Sequence, residues 1–137
     1  MGEVKEKITL VNAWDAGNAR RGIIKEVEVR QVTVDAIVDT GAGPLVITEA
    51  MRQRLGLNIV KDSSVYLAGD VPQECTLAEA VDILWKDRFT TSQPLVLPTG
   101  HETLLGVIPL EEMDLMVNPV ERCLVGAHGD KQLYQVR

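Results

Sequence analysis

The segment Ala36-Ile37-Val38-Asp39-Thr40-Gly41-Ala42-Gly43 holds the residues best placed to do chemistry. An apolar run delivers one carboxylate into a tight turn, and Gly41 and Gly43 let the backbone approach closely there. Such a turn presents an acid at the end of a buried strand. Thr40 adds a hydroxyl that can donate one hydrogen bond, accept others and lock the turn to a neighbouring backbone. The plainer account of the same residues is a strand-ending turn in which Asp39 accepts backbone hydrogen bonds.

The surrounding elements must position that acid. Ile8-Thr9-Leu10-Val11 reads as a short strand, and Asp15 to Gly22, polar and carrying Gly17, Asn18 and Gly22, reads as a loop. Alternation then runs through Val27 and Val29, and through Val32, Val34, Ala36 and Val38. The apolar set changes parity at Arg30-Gln31, which predicts a bulge or tight turn there. Thr48 to Gly56 carries a helix signal: Thr48 as cap, Glu49 in the first turn, Arg52 and Arg54 in the last, Gly56 as terminator. Val65 to Ala68, the turn-rich Gly69-Asp70-Val71-Pro72 and an extended stretch from Thr76 to Trp85 predict a hairpin. Asp87-Arg88 should turn the chain before a strand from Pro94 to Leu97. Pro109 to Met113 should form a one-turn helix with Pro109 in its first turn. The tail, Lys131 to Arg137, should pair as a terminal strand.

Composition narrows the classes. The 137 residues suit one domain, and 4% aromatic residues leave Val, Leu, Ile and Ala to fill the core. A net charge of -6 without a run of Lys or Arg argues against nucleic acid as a partner. No apolar run reaches membrane-spanning length, and the charged N-terminal residues do not read as an export signal, so a cytoplasmic protein with no membrane partner is expected. Cys75 and Cys123 then read as reduced structural thiols, and separated His101 and His128, both expected in exposed loops, give no metal site. Trp14 and Trp85 read as packing residues, Tyr66 as core or cleft lining, and Glu111, Glu112 and Asp114 as a solvated helix face.

The Asp39-Thr40-Gly41 triplet followed by Ala42 resembles the active-site loop of aspartic peptidases, specifically the retropepsin-like branch and its small single-domain microbial members. Leu104-Leu105-Gly106 ahead of the Pro109–Met113 helix resembles that family's apolar-Gly motif. Leu110 to Leu115 and Val117-Asn118-Pro119 are similar to the tail of small microbial members, which often have Asp where Asn118 stands. The likeness spans roughly residues 8 to 125. A rival opening, apolar strand then Asp-x-Gly, occurs in the phosphate loop of actin-like and sugar-kinase ATPases, which need two lobes and a second loop that this chain lacks. Pro44, and the order Gly69-Asp70 where flaps of the family often have Asp then Gly, depart from the pattern.

The resemblance implies a mainly β fold: a closed or partly open barrel of the acid-protease type with one or two short helices, one domain over 1–137. It implies an aspartic endopeptidase that needs no cofactor. Two carboxylates hold the attacking water, and this chain has one Asp-Thr-Gly. The second must come from Asp39 of another copy, which makes a homodimer acting on a peptide or protein, with the terminal strands at its interface. Thr40, Gly41 and Ala42 form the active-site loop. Ala68, Gly69, Asp70 and Val71 form a flap, and Leu104, Leu105 and Gly106 a structural support. The alternative is a non-catalytic dimer of this fold that binds peptides or serves in assembly.

Overall fold

The structure is a computed structural model that describes residues 3–66, 71–98 and 102–136. Strand β1 (Val4–Asn12) pairs antiparallel with β2 (Gln31–Val38), placing Ile8 and Leu10 with Val32 and Ala36 on the core side. The expected loop between them is instead a helix, α1 (Ala13–Arg20). Asn12 caps it, its side chain accepting from Asp15 N at 3.1 Å while its amide donates to Leu55 O at 2.8 Å. Asp15 then accepts from the backbone N, Nε and Nη2 of Arg30. Gly17 and Asn18 read as turn residues locally, and the cap and the distant ion pair override them. Val27 lies in a 3-10 turn (Glu26–Glu28) and is 87% exposed; β2 starts at Gln31, so the parity change marks a strand start and not a bulge.

After β3 (Leu45–Thr48), α2 (Glu49–Leu55) follows the expected signals. Thr48 accepts from Met51 N, Arg52 pairs with Glu49 and holds its carboxyl below the usual range, and Gly56 closes the helix at φ 66°. The Arg30 guanidinium lies where a Cβ at Gly56 would stand, so that glycine serves both the cap and the Asp15–Arg30 pair.

A hairpin follows from β4 (Ile59–Tyr66) and β5 (Pro72–Ala78), then β6 (Val81–Trp85), β7 (Arg88–Ser92), β8 (Leu95–Leu97), β9 (Leu104–Leu105), α3 (Val107–Glu112), β10 (Leu115–Asn118) and β11 (Cys123–Gly126). The expected Thr76–Trp85 stretch is therefore broken at Glu79-Ala80, and the next turn falls at Lys86-Asp87, with Lys86 at φ 51°. Nine strands form one curled, partly open sheet in the order β4-β5-β8-β3-β9-β2-β1-β6-β7, and β10 and β11 pair separately. No helix among the described residues is long and apolar enough to cross a membrane.

The C-terminal segment corrects several expectations. Residues 131–136 form no strand. Instead the Gln132 side-chain amide accepts from Phe89 N at 2.8 Å and donates to Phe89 O and Glu112 O, taking a strand's place on the β7 edge. Arg88, only 2% exposed, donates to the carbonyls of Met113, Asp114 and Gly129. Asp114 is buried and not a solvated face: it meets His128 Nδ1 at 2.6 Å and accepts from Leu133 N, and the His128 bond holds its carboxyl below the usual range. Trp85 packs in the core and donates to Glu6, whereas Trp14 is 63% exposed and Tyr66 is exposed as well. His101 lies outside the described residues.

Hydrogen bonds from Arg30 hold the Asp15 carboxyl below the ordinary carboxylate range. A lowered folded value stabilises the fold above the unfolded pKa of about 3.9, and the contribution is lost as pH falls through the folded value. Asp15→Asn is therefore expected to cost roughly 1–2 kcal/mol at neutral pH, with the difference from wild type shrinking below about pH 4. Urea unfolding at neutral and acidic pH measures it.

Candidate active site

Asp39 follows directly on β2, and its position is set by β9. This two-residue strand lies between β2 and β3, parallel to the first (Ile37 to Leu104, Val38 to Leu105) and antiparallel to the second (Leu45 to Leu105, Val46 to Leu104). Asp39 N donates to Leu105 O at 3.0 Å, and Asp39 O accepts from Ala42 N at 3.1 Å. Within the loop, Asp39 Oδ1 accepts from Gly41 N at 2.9 Å. That bond locks the turn; the Thr40 hydroxyl is exposed and makes no hydrogen bond among the described residues.

The far side of the loop is held by α3. Its first amides, which no helix can satisfy internally, find loop carbonyls: Val107 N donates to Ala42 O at 2.8 Å and Ile108 N to Gly43 O at 3.0 Å. Pro109, at the third helical position, has no amide to satisfy. Gly106 precedes them under close constraint: a Cβ there would lie 2.5 Å from Gly43 O and inside the shell of Pro44 O. Leu104, Leu105 and Gly106 are thus brought against Asp39 to Pro44, as one unit. The capping of Val107 and Ile108 was not legible beforehand; Pro109 in the first turn was the one signal that amides there needed special handling.

The exposure around Asp39 suits a charged group. Asp39 is half-buried, and Thr40 and Gly41 are exposed. Val46, Leu97 and Leu104 meet Val65 and Cys75 of the β4–β5 hairpin in a small apolar cluster. Burial pushes the Cys75 thiol up, which makes it a packing residue and a poor nucleophile. Of the expected flap, Ala68, Gly69 and Asp70 lie outside the described residues, and Val71 is exposed just before β5. A cavity of about 650 Å³ between the hairpin, β8 and the start of α2 takes no lining residue from the Asp39 loop. No cluster of His, Cys, Asp or Glu suited to a metal occurs among the described residues.

A curled sheet with a loop-bearing strand, a short strand slotted beside it and a helix capped by the loop defines the retropepsin-like fold. The retroviral protease-like domain of Ddi1 from Leishmania major shares it, with a TM-score of 0.57 at 14% identity over 91% of this chain and 88% of that one. A retropepsin-like aspartic protease from Rickettsia conorii is also similar, with a TM-score of 0.49 at 16% identity over 86% and 89% of the two chains. An aspartyl protease family model matches residues 25–107, from the approach to β2 into α3, and the chain belongs to that family. No curated protein sequence matches.

Gly106→Ala drives a methyl group into two backbone carbonyls that cannot move without the Asp39 loop. It should destabilise the fold by about 1–3 kcal/mol or more and shift the amide resonances of Asp39, Ala42 and Val107. Unfolding curves and NMR spectra of the variant check both, and unchanged resonances would show that the loop does not depend on this contact.

Proposed function

We propose that this chain is one subunit of a homodimeric aspartic endopeptidase in which the two Asp39 carboxylates share one water. The observation that carries the reading is a half-exposed Asp39, braced by Leu105 O and Gly41 N, in a chain with one Asp-Thr-Gly. A two-fold axis beside the loop supplies the second acid. Val4 pairs with Val38, so the N-terminal end of β1 lies next to this axis. The exposed Thr40 hydroxyl is then available to the partner loop, and the β4–β5 hairpin serves as the flap. A cytoplasmic setting is part of this reading.

Two carboxylates about 3 Å apart cannot both ionise cheaply, so the pair holds one proton. The ionised member takes a proton from the water as its oxygen attacks the peptide carbonyl. The protonated member donates to the carbonyl oxygen, and the amine leaves with a proton as the tetrahedral intermediate collapses. The protonation states belong to the pair. The second reading is a non-catalytic peptide-binding dimer, favoured by Pro44, which removes a backbone donor close behind the loop.

Incubation with a diverse peptide library, read by mass spectrometry, separates the two. Wild type should yield product peptides, with a bell-shaped dependence on pH that peaks below neutrality. Asp39→Asn should yield none while still forming the dimer, since removing like charges spares association. Cleavage that persists in Asp39→Asn rules out the shared-carboxylate mechanism, and binding without cleavage by wild type selects the second reading.

Thr40→Val keeps the volume and removes the hydroxyl. Each buried partner left unsatisfied costs about 1–3 kcal/mol, twice over across a two-fold axis. Dimer affinity and cleavage should therefore fall together, as measured by sedimentation and peptide assay. A variant that dimerises and cuts like wild type would make Thr40 a turn residue only.

A further inference from the structure

The segment between β1 and β2 encloses a second site. Ile8, Leu10 and Ile83 face the main core. The strand register puts Val11 opposite Gln31 and Asp82, and Thr9 opposite Leu84, on the other face of the sheet. α1 and the 3-10 turn fold over that outer face without filling it. A cavity of about 390 Å³ remains, floored by Val11, Asp82 and Leu84 and walled by Ala16, Ala19 and Val29. Exposed Arg20 and Glu26 also line it.

Asp82 is the unusual group. It is 6% exposed, and its Oδ1 accepts from the Thr91 hydroxyl at 2.8 Å. Oδ2 has no donor among the described residues and is not sealed from solvent, and Asp82 lines the cavity. No ion pair among the described residues involves Asp82, Arg20 included. A carboxylate offers about four acceptor sites, and those that Thr91 leaves free are available to a cation or to further donors.

We infer that this cavity binds a small organic cation, an ammonium or guanidinium on a short apolar stem. The charged head meets Asp82, and the stem lies against Val11, Val29 and Leu84. The volume is at the lower end of the roughly 300–1,000 Å³ typical of small-molecule sites. The overall charge of -6 favours approach of a cation. The site lies on the sheet face away from the main core and does not depend on the role of Asp39.

NMR titration of the full chain with n-pentylammonium chloride tests it, with n-pentanol as the neutral counterpart. Saturable shifts are expected at Val11, Ala16 and Leu84, at least about tenfold weaker with n-pentanol and in Asp82→Asn, because a desolvated charge pair is lost. Ala19→Trp, which fills the cavity from its wall and keeps Asp82, should abolish the shifts, and its own unfolding curve reports whether the chain is folded. Should Asp82→Asn not fold, Ala19→Trp and the alcohol decide. Arg20→Ala should retain or strengthen binding. A lysine-bearing tetrapeptide that binds when n-pentylammonium does not would overturn the small-molecule assignment. No saturable shift in wild type, equal binding of the alcohol, or binding retained in Ala19→Trp would overturn the site itself.

Discussion

Gly106 touches the carbonyls of Gly43 and Pro44 with no room for a side chain, and three elements meet at that contact. β9 arrives there between β2 and β3, the Asp39 loop crosses over it, and α3 leaves from it. The hydrogen bonds around the contact are reciprocal. Leu105 O receives the Asp39 amide, while Ala42 O and Gly43 O receive the first amides of α3. An acid on a free loop would sample many positions; here its backbone is held on both sides by groups that would otherwise be unsatisfied.

The elements farther out brace this unit through a few polar side chains. Asn12 caps α1 and reaches Leu55 O at the end of α2, while Asp15 and Arg30 close the segment between β1 and β2. Glu6 accepts from Trp85 Nε1 and from Leu124 N, which ties β1, β6 and β11 together. Each carboxylate or amide here serves two elements at once, which a purely apolar contact, being non-directional, does not specify.

The C-terminal third is organised around a buried charge. Arg88 gives its guanidinium donors to three carbonyls and lies 3.7 Å from the Asp114 carboxylate, which offsets its desolvation. Gly126 makes space for it, since a Cβ there would overlap both Arg88 and Gly129 O. Asp114 sits at φ 57°, a conformation that Asp tolerates better than most residues. Its second partners, His128 and Leu133 N, bring the tail back over the end of α3.

What the sequence determined by itself was whatever rests on near neighbours. The Asp39–Gly41 turn bond and the Thr48 cap and Gly56 terminator of α2 depend on groups a few residues apart, so their signals are local. Tertiary structure decided the rest. α1 exists because Asn12 and Asp15 find Leu55 and Arg30, partners that outweigh the turn tendency of Gly17 and Asn18. The two-sided pairing of β9 could not be read from two leucines. Asp114 and Gln132 look like surface residues until Arg88, His128 and Phe89 are placed beside them. A polar side chain carries no local mark of whether it will meet water or a distant buried partner, and that choice is made only when the sheet closes.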